Sequence, residues 1–73
     1  MVEKAEEYIK KGGILEVRVR CQGSTARIEI PKNQIEIFFH QYDFDELVTY
    51  FSNIGFKCTS LDLEGLVSGK LNR

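Results

Sequence analysis

The stretch Val17-Arg18-Val19-Arg20-Cys21-Gln22-Gly23-Ser24-Thr25-Ala26-Arg27-Ile28-Glu29-Ile30-Pro31 decides the fold, because apolar and polar side chains alternate on both sides of a turn signal. Such alternation predicts two β-strands, each with one buried and one exposed face. Gln22-Gly23-Ser24 predicts the hairpin loop, and Pro31 ends the second strand because proline cannot donate to a ladder. The faces predicted to point inward carry Leu15, Val17, Val19, Cys21, Ala26, Ile28 and Ile30.

The rest of the chain adds helices on both sides of this hairpin and one further strand. Residues 2–11 predict a helix that stops at Gly12-Gly13, and the apolar spacing over 35–39 favours a second, short helix. A third helix begins after Asp43, which with Glu46 forms a capping box, and it ends at Gly55. Residues 56–63 predict a strand with Thr59, Leu61 and Leu63 facing inward and Ser60, Asp62 and Glu64 outward. The predicted fold is α+β, in the order α-β-β-α-α-β, with the helices on one face of a three-stranded sheet.

Length and composition restrict the class of protein. The 73 residues predict a single domain, 1–73, near the size at which one core just suffices. A formal net charge of −1 argues against a general nucleic-acid binder, since phosphate neutralisation requires a cationic excess. The sequence has no apolar run long enough to cross a bilayer and no signal peptide, so we expect a cytoplasmic protein with no membrane partner.

The polar face of the predicted sheet is the main candidate site. Arginine presents a planar fork that suits phosphates and carboxylates, and Arg18 and Arg20 lie parallel, two positions apart on one strand. Three interpretations remain open: an anion site, a solvated face of cross-strand ion pairs, or a face covered by a partner. The residues predicted on this face are Arg18, Arg20, Arg27, Glu29, Asp62 and Glu64.

The remaining reactive residues form no self-contained active site. Cys21 and Cys58 lie far apart in sequence and lack the spacing of a zinc site, so we expect reduced strand residues and no metal. His40 has no evident nucleophile or acidic partner. A turn between Gly65 and Gly69 could direct backbone N–H groups at an anion, but it matches no phosphate-loop motif.

The order of these segments resembles the C-terminal region of the PP-loop ATP-pyrophosphatase-type sulfur transferases. This family includes the ATP-dependent sacrificial sulfur transferase that matures the nickel-pincer cofactor of lactate racemase. The resemblance extends over nearly the whole chain. It is carried by Ala5-Glu6, Val17-Arg18-Val19-Arg20, Ala26-Arg27-Ile28-Glu29, Gly55-Phe56, Leu61-Asp62-Leu63-Glu64-Gly65, Ser68-Gly69 and Asn72.

The resemblance implies that Arg18 and Arg20 match a basic pair associated with phosphate binding, and that Asp62 and Glu64 match the acids of the tail motif. The chain departs from the family in its tail, where Val67 replaces an expected arginine and Lys70 offers only a point charge in compensation. The Ser-Gly-Gly-x-Asp-Ser loop of the ATP site is missing, and neither cysteine matches the sulfur donor. We therefore expect no catalysis by the chain alone.

The sequence thus supports three functional hypotheses. The first is a stand-alone accessory or assembly module that works beside a PP-loop ATP-pyrophosphatase subunit or self-associates as a homo-oligomer. It would need no cofactor in isolation, and a nucleotide or phosphate would be bound jointly with the partner by Arg18, Arg20, Arg27 and Lys70. The second is a small module that binds a phosphorylated metabolite. The third is a complete small enzyme, for which Asp62, Glu64 and His40 are the available groups.

Overall fold

A computed structural model describes residues 1–66 and contains three α-helices and a three-stranded mixed sheet within that range, in the order α-β-β-α-α-β. The α+β class and the element order predicted from the sequence are confirmed. The elements are α1 (Val2–Lys11), β1 (Arg18–Gln22), β2 (Thr25–Glu29), a 3-10 turn (Lys32–Gln34), α2 (Ile35–Gln41), α3 (Phe44–Asn53) and β3 (Cys58–Leu61).

The sheet has the strand order β1-β2-β3, with β2 in the centre. β1 and β2 form the predicted antiparallel hairpin, in which Gln22 pairs with Thr25. Gly23 lies between them at φ 61°, the positive value that the tight turns of two-residue hairpins require. β3 pairs in parallel with β2, because α2 and α3 carry the chain back to the end of the sheet at which β2 begins.

One core joins the apolar face of the sheet to the helices. Its fully buried side chains include Ile9 of α1, Ile28 of β2 and Phe51 of α3. α1 ends at Lys11, and Gly12 caps it. The next residue, Gly13, has a φ of 118°, a positive value that glycine adopts without a steric penalty. The side chain of Asp43 accepts a hydrogen bond of 3.1 Å from the Glu46 N–H, which confirms the predicted start of α3.

Three apolar positions that were predicted to face inward are exposed. Leu15 is 73% exposed because β1 begins only at Arg18, and Ile14 takes the place in the core that alternation assigned to Leu15. Cys21 is exposed at the hairpin end of β1. Leu63 is 68% exposed because β3 ends at Leu61 and the chain turns immediately afterwards. Strands shorter than their alternating sequences explain the errors at Leu15 and Leu63.

Tyr42, the residue after α2, connects the ends of α1 and α2. The Tyr42 hydroxyl donates to the Ile9 carbonyl and accepts a hydrogen bond of 3.2 Å from the Ile14 N–H. Its ring lies against Gly12, where an added Cβ would overlap the ring atoms. Glycine is therefore required at position 12 by close approach, although its backbone is in the ordinary right-handed region.

Candidate anion-binding surface

The polar face of the sheet is organised around a buried carboxylate. Glu29 lies on the outward face that alternation predicted, but the residue is only 2% exposed. Its Oε1 lies 3.2 Å from Arg20 Nε, and its Oε2 lies 3.1 Å from Arg27 Nη2. Burying a carboxylate is costly unless it is paired, and two charge-assisted hydrogen bonds supply that pairing here.

The strand register explains why both arginines contact the same acid. Arg20 and Arg27 are directly opposite each other across the hairpin, so their like charges would repel. Glu29 is on the same face, two residues beyond Arg27 and diagonal to Arg20. Its two oxygens therefore bind one guanidinium each and offset the repulsion.

Asp62 belongs to the same cluster. Arg27 Nε is 3.8 Å from Asp62 Oδ2, and the Asp62 N–H donates to the Ile28 carbonyl at 2.9 Å, just beyond the last residue of β3. The Ser60 hydroxyl donates to the Ala26 carbonyl at 3.2 Å and helps to hold β3 beside β2. The predicted grouping of Arg20, Arg27, Glu29 and Asp62 on one face is present in the structure.

Arg18 differs from the other two arginines. It is exposed, pairs with Glu29 only through the backbone register, and makes no ion pair with any residue in the range 1–66. Arg20 is bound to Glu29 through Nε, so the ion pair with the acid leaves its two terminal nitrogens uncommitted. Arg18 and Arg20 together can thus offer the forked donors that suit a phosphate or carboxylate oxygen.

The residues that follow Asp62 form a turn and do not continue the strand as predicted. Glu64 is exposed in the turn after β3, and its N–H donates to Asp62 Oδ1 at 2.9 Å. The prediction that Glu64 is on a strand face was therefore wrong. Gly65, at φ 84°, donates its N–H to the Asp62 carbonyl, so this group serves the turn and not an anion. Lys70, Ser68, Gly69 and Asn72 lie outside the described residues.

Other candidate chemistry is not gathered into a site. His40 is exposed on α2, and both cysteines are free and exposed. Residues 1–66 contain no cluster of three or more histidine, cysteine or acidic side chains arranged to hold a metal ion. In the same range, no helix has the length and apolar character needed to cross a bilayer.

Two features of the surface were not predicted from the sequence. The first is that Glu29 binds both arginines, although the Arg27-x-Glu29 spacing places the two side chains together on one strand face. The second is that Phe44 and Val48 of α3 remain nearly half exposed beside a cleft at the edge of β3. The sequence signal that could have revealed this exposure is the apolar stripe on α3, which is wider than a three-stranded sheet can cover.

Comparison with known proteins shows two relatives that align with nearly the whole chain. The uncharacterized protein slr1717 of Synechocystis is 49% identical over 72 residues, which are 99% of this chain and 27% of that protein. The pyridinium-3,5-bisthiocarboxylic acid mononucleotide synthase of Lactiplantibacillus plantarum is 37% identical over 71 residues, 97% of this chain and 25% of the enzyme. No protein-family model matches. The chain spans about a quarter of the length of each relative.

Proposed function

We propose that the chain is an accessory module of a PP-loop sulfur-transferase system, in which Arg18 and Arg20 contact an anionic group of the substrate or nucleotide. The module acts beside an ATP-binding partner and does not catalyse the reaction alone. The observation that carries this proposal is the pairing of Arg20 with the buried Glu29, which holds one guanidinium in place next to the exposed Arg18.

Pre-organisation is what separates this surface from an ordinary charged sheet. A surface arginine loses side-chain entropy when it closes on a ligand, which offsets much of the binding energy. Arg20 has already lost part of that freedom through its bond to Glu29. The remaining donors of Arg20 can then bind an anion with a smaller entropic cost, and Arg18 can close on it from the solvent side.

The named product of the bacterial relative fits the same chemistry. A pyridinium bisthiocarboxylic acid mononucleotide carries a phosphate and acidic groups on its ring. A pair of arginine forks binds either kind of group. The proposal assigns Arg18 and Arg20 to the phosphate, in keeping with the basic pair of the family that the sequence resembles, and leaves sulfur transfer to the partner.

The anion part of the proposal can be tested on the isolated chain. Inorganic phosphate and AMP are titrated while backbone amide shifts are followed by NMR. We expect the Arg18–Arg20 amides to shift, and we expect Arg18→Ala to weaken the apparent affinity at least about threefold, the effect of removing one partly solvated charged contact. Lys10→Ala, which removes an equal charge from exposed α1, is the control and should leave the titration unchanged.

The outcome for Arg18→Lys separates a geometric site from a general positive field. A point charge restores long-range attraction but not the forked donors, so lysine should recover less than half of the lost affinity. If neither phosphate nor AMP shifts these amides, or if Lys10→Ala weakens binding as much as Arg18→Ala, the anion site is rejected. Tight binding of AMP by the isolated chain would favour the metabolite-binding alternative over an accessory module.

The partner part of the proposal requires a catalytic assay. The Lactiplantibacillus synthase with its matching 71 residues deleted is expected to lose activity. Adding this chain in trans should restore measurable turnover, and the chain carrying Arg18→Ala should restore less. If the truncated synthase is folded and the chain neither binds it nor restores turnover, the accessory role is contradicted.

A further inference from the structure

An open groove lies between α1 and α3, at a point where two tyrosine rings stack. The ring centroids of Tyr8 and Tyr50 are 4.7 Å apart, with an interplanar angle of 23°. Both residues are partly exposed, and the Tyr8 ring also meets the buried Phe51 edge-on, which holds it from the core side. The groove has a volume of about 480 Å³ and is lined by Tyr8, Asp45, Glu46, Thr49, Tyr50 and Asn53.

The charged residues that line this groove within the range 1–66 are both acidic. They are Asp45 and Glu46, and no ion pair within that range involves either of them. Lys4 and Lys11 lie one helical turn on either side of Tyr8, but neither lines the groove. The two negative charges are therefore not neutralised by a contacting cation from this part of the chain.

The carboxylate of Glu46 is held beside the tyrosine pair. The Tyr8 hydroxyl donates to Glu46 Oε1 at 2.7 Å, and this bond leaves Oε2 for another donor. The pKa of Tyr8 is raised to about 12, first by burial and then by the hydrogen bond and charge of Glu46, with Asp43 adding to the effect. The contributions of the two acids mean that the electrostatic potential at the ring is negative.

Helix stability explains only part of this arrangement. Asp45 and Glu46 are in the first turn of α3, where negative charge stabilises the positive end of the helix dipole. That role requires neither the open groove nor the partly exposed tyrosine pair next to the acids. An aromatic surface beside an unpaired carboxylate is suited to a planar cation.

We propose that this groove binds an arginine side chain of a partner protein, with the guanidinium stacked on the tyrosine pair and hydrogen-bonded to Glu46. A guanidinium stacks on aromatic rings and donates in a fork to a carboxylate, so one group matches both features of the groove. An anion would be repelled by the acids, and an apolar side chain would desolvate the carboxylate without pairing it. The groove is on the helices, whereas Arg18 and Arg20 are on the polar face of the sheet, so this contact is distinct from the anion site.

The test uses small probes and the intact chain. N-acetylarginine amide carries the guanidinium without charged termini, and N-acetylcitrulline amide is a neutral probe of nearly the same shape. Each is titrated in the millimolar range while the ring and amide signals of Tyr8 and Tyr50 are followed by NMR. We expect saturable shifts with the arginine probe and much smaller shifts with the citrulline probe, because both the rings and the carboxylate recognise the charge.

Substitutions separate the carboxylate from the rings. Glu46→Gln keeps the shape and removes the charge, so it should weaken the arginine probe at least about threefold, the effect of one exposed ion pair. Tyr50→Leu removes one ring and should also weaken it. Glu36→Gln removes an equal charge from an exposed position on α2 and should leave the titration unchanged. Circular dichroism checks that each variant is folded, and Glu46→Gln decides the matter if Tyr50→Leu is not.

Two results would overturn the site itself: equal shifts from the arginine and citrulline probes, or an affinity that Glu46→Gln leaves unchanged. Free arginine tests the assignment to a protein partner, because a side chain within a protein has no free amino or carboxyl group beside it. Binding of free arginine clearly tighter than that of the blocked probe would indicate a small-molecule site and contradict that assignment. The phosphate titration at Arg18 involves none of these residues, so its outcome is independent of this test.

Discussion

Replacing Glu29 by glutamine should destabilise the domain more than any other conservative change on the polar face. The carboxylate is 3% exposed and accepts one hydrogen bond from Arg20 and one from Arg27. Glutamine has nearly the same shape but no charge, and its amide nitrogen donates where the carboxylate accepted. One of the two arginines therefore faces another donor, and the two guanidinium groups remain opposite each other with only Asp62, 3.8 Å from Arg27, as a counter-charge.

The magnitude follows from these contacts. A hydrogen bond to a charged partner contributes about 1.5–3 kcal/mol to folding, and one of the two is lost while the other is weakened. Arg20 is 39% exposed and Arg27 is 21% exposed, so water recovers part of the loss. We expect a decrease of about 2–4 kcal/mol in the free energy of unfolding, most of the ~3–5 kcal/mol available to a domain of this size.

Urea and thermal unfolding followed by circular dichroism measure the effect. For a domain of this length about 1 kcal/mol corresponds to 4–8 °C, so the midpoint should fall by at least about 8 °C. Glu16→Gln is the matched control, because it removes an equal charge from an exposed loop position and should change stability by less than ~0.5 kcal/mol. If Glu29→Gln is no less stable than Glu16→Gln, the carboxylate does not organise the arginines and Arg20 is not pre-organised by it.

Three further changes test other parts of the structure. Tyr42→Phe should lower the free energy of unfolding by about 1–3 kcal/mol, since it leaves the Ile14 N–H without its acceptor; denaturant titration measures this. Burial, followed by the hydrogen bond to Glu46, raises the pKa of Tyr8 to about 12, so Glu46→Gln should lower it in a spectrophotometric titration. Because this pKa is raised above its unfolded value of 10.0, the associated stability is complete below pH 10.0 and is lost as the pH rises toward 12. Gly65→Ala should destabilise the turn after β3, where an added Cβ would lie 2.9 Å from the Lys32 backbone nitrogen at a φ of 84°; thermal unfolding checks it.

Local signals in the sequence predicted most of the elements. Helix α1, the hairpin turn at Gly23 and the start of α3 at Asp43 depend on residues within a few positions of one another, and all three were confirmed. The parallel pairing of β3 with β2 depends instead on how α2 and α3 route the chain, which alternation within a strand does not encode. The predicted start of β1 and the predicted end of β3 were wrong for a related reason. A segment with alternating apolar residues still looks like a strand in the sequence where no adjacent strand pairs with it.

The candidate site was predictable as a set of residues but not as an arrangement. Alternation placed Arg20, Arg27 and Glu29 on one face, and they are there. Burial of Glu29 could not be inferred, because it requires both guanidinium groups to lie over the carboxylate at once. The sequence also could not distinguish Arg18 from Arg20. Arg18 is directly opposite Glu29 in the register and Arg20 is diagonal to it, yet the ion pair is made by Arg20.

The balance of charge on this face limits the ligand it can take. Arg18, Arg20 and Arg27 contribute three guanidinium groups, and Glu29 and Asp62 already bind two of them. Among these five residues a single positive charge remains, at Arg18. A polyanion such as nucleic acid needs many uncompensated cations, because each phosphate contact adds to affinity and to its salt dependence. One remaining charge beside one held arginine suits a single phosphate or carboxylate, bound weakly unless another protein surface supplies further donors. Under the proposed accessory role, a partner would supply those further donors, and we then expect phosphate binding to tighten when the partner is added.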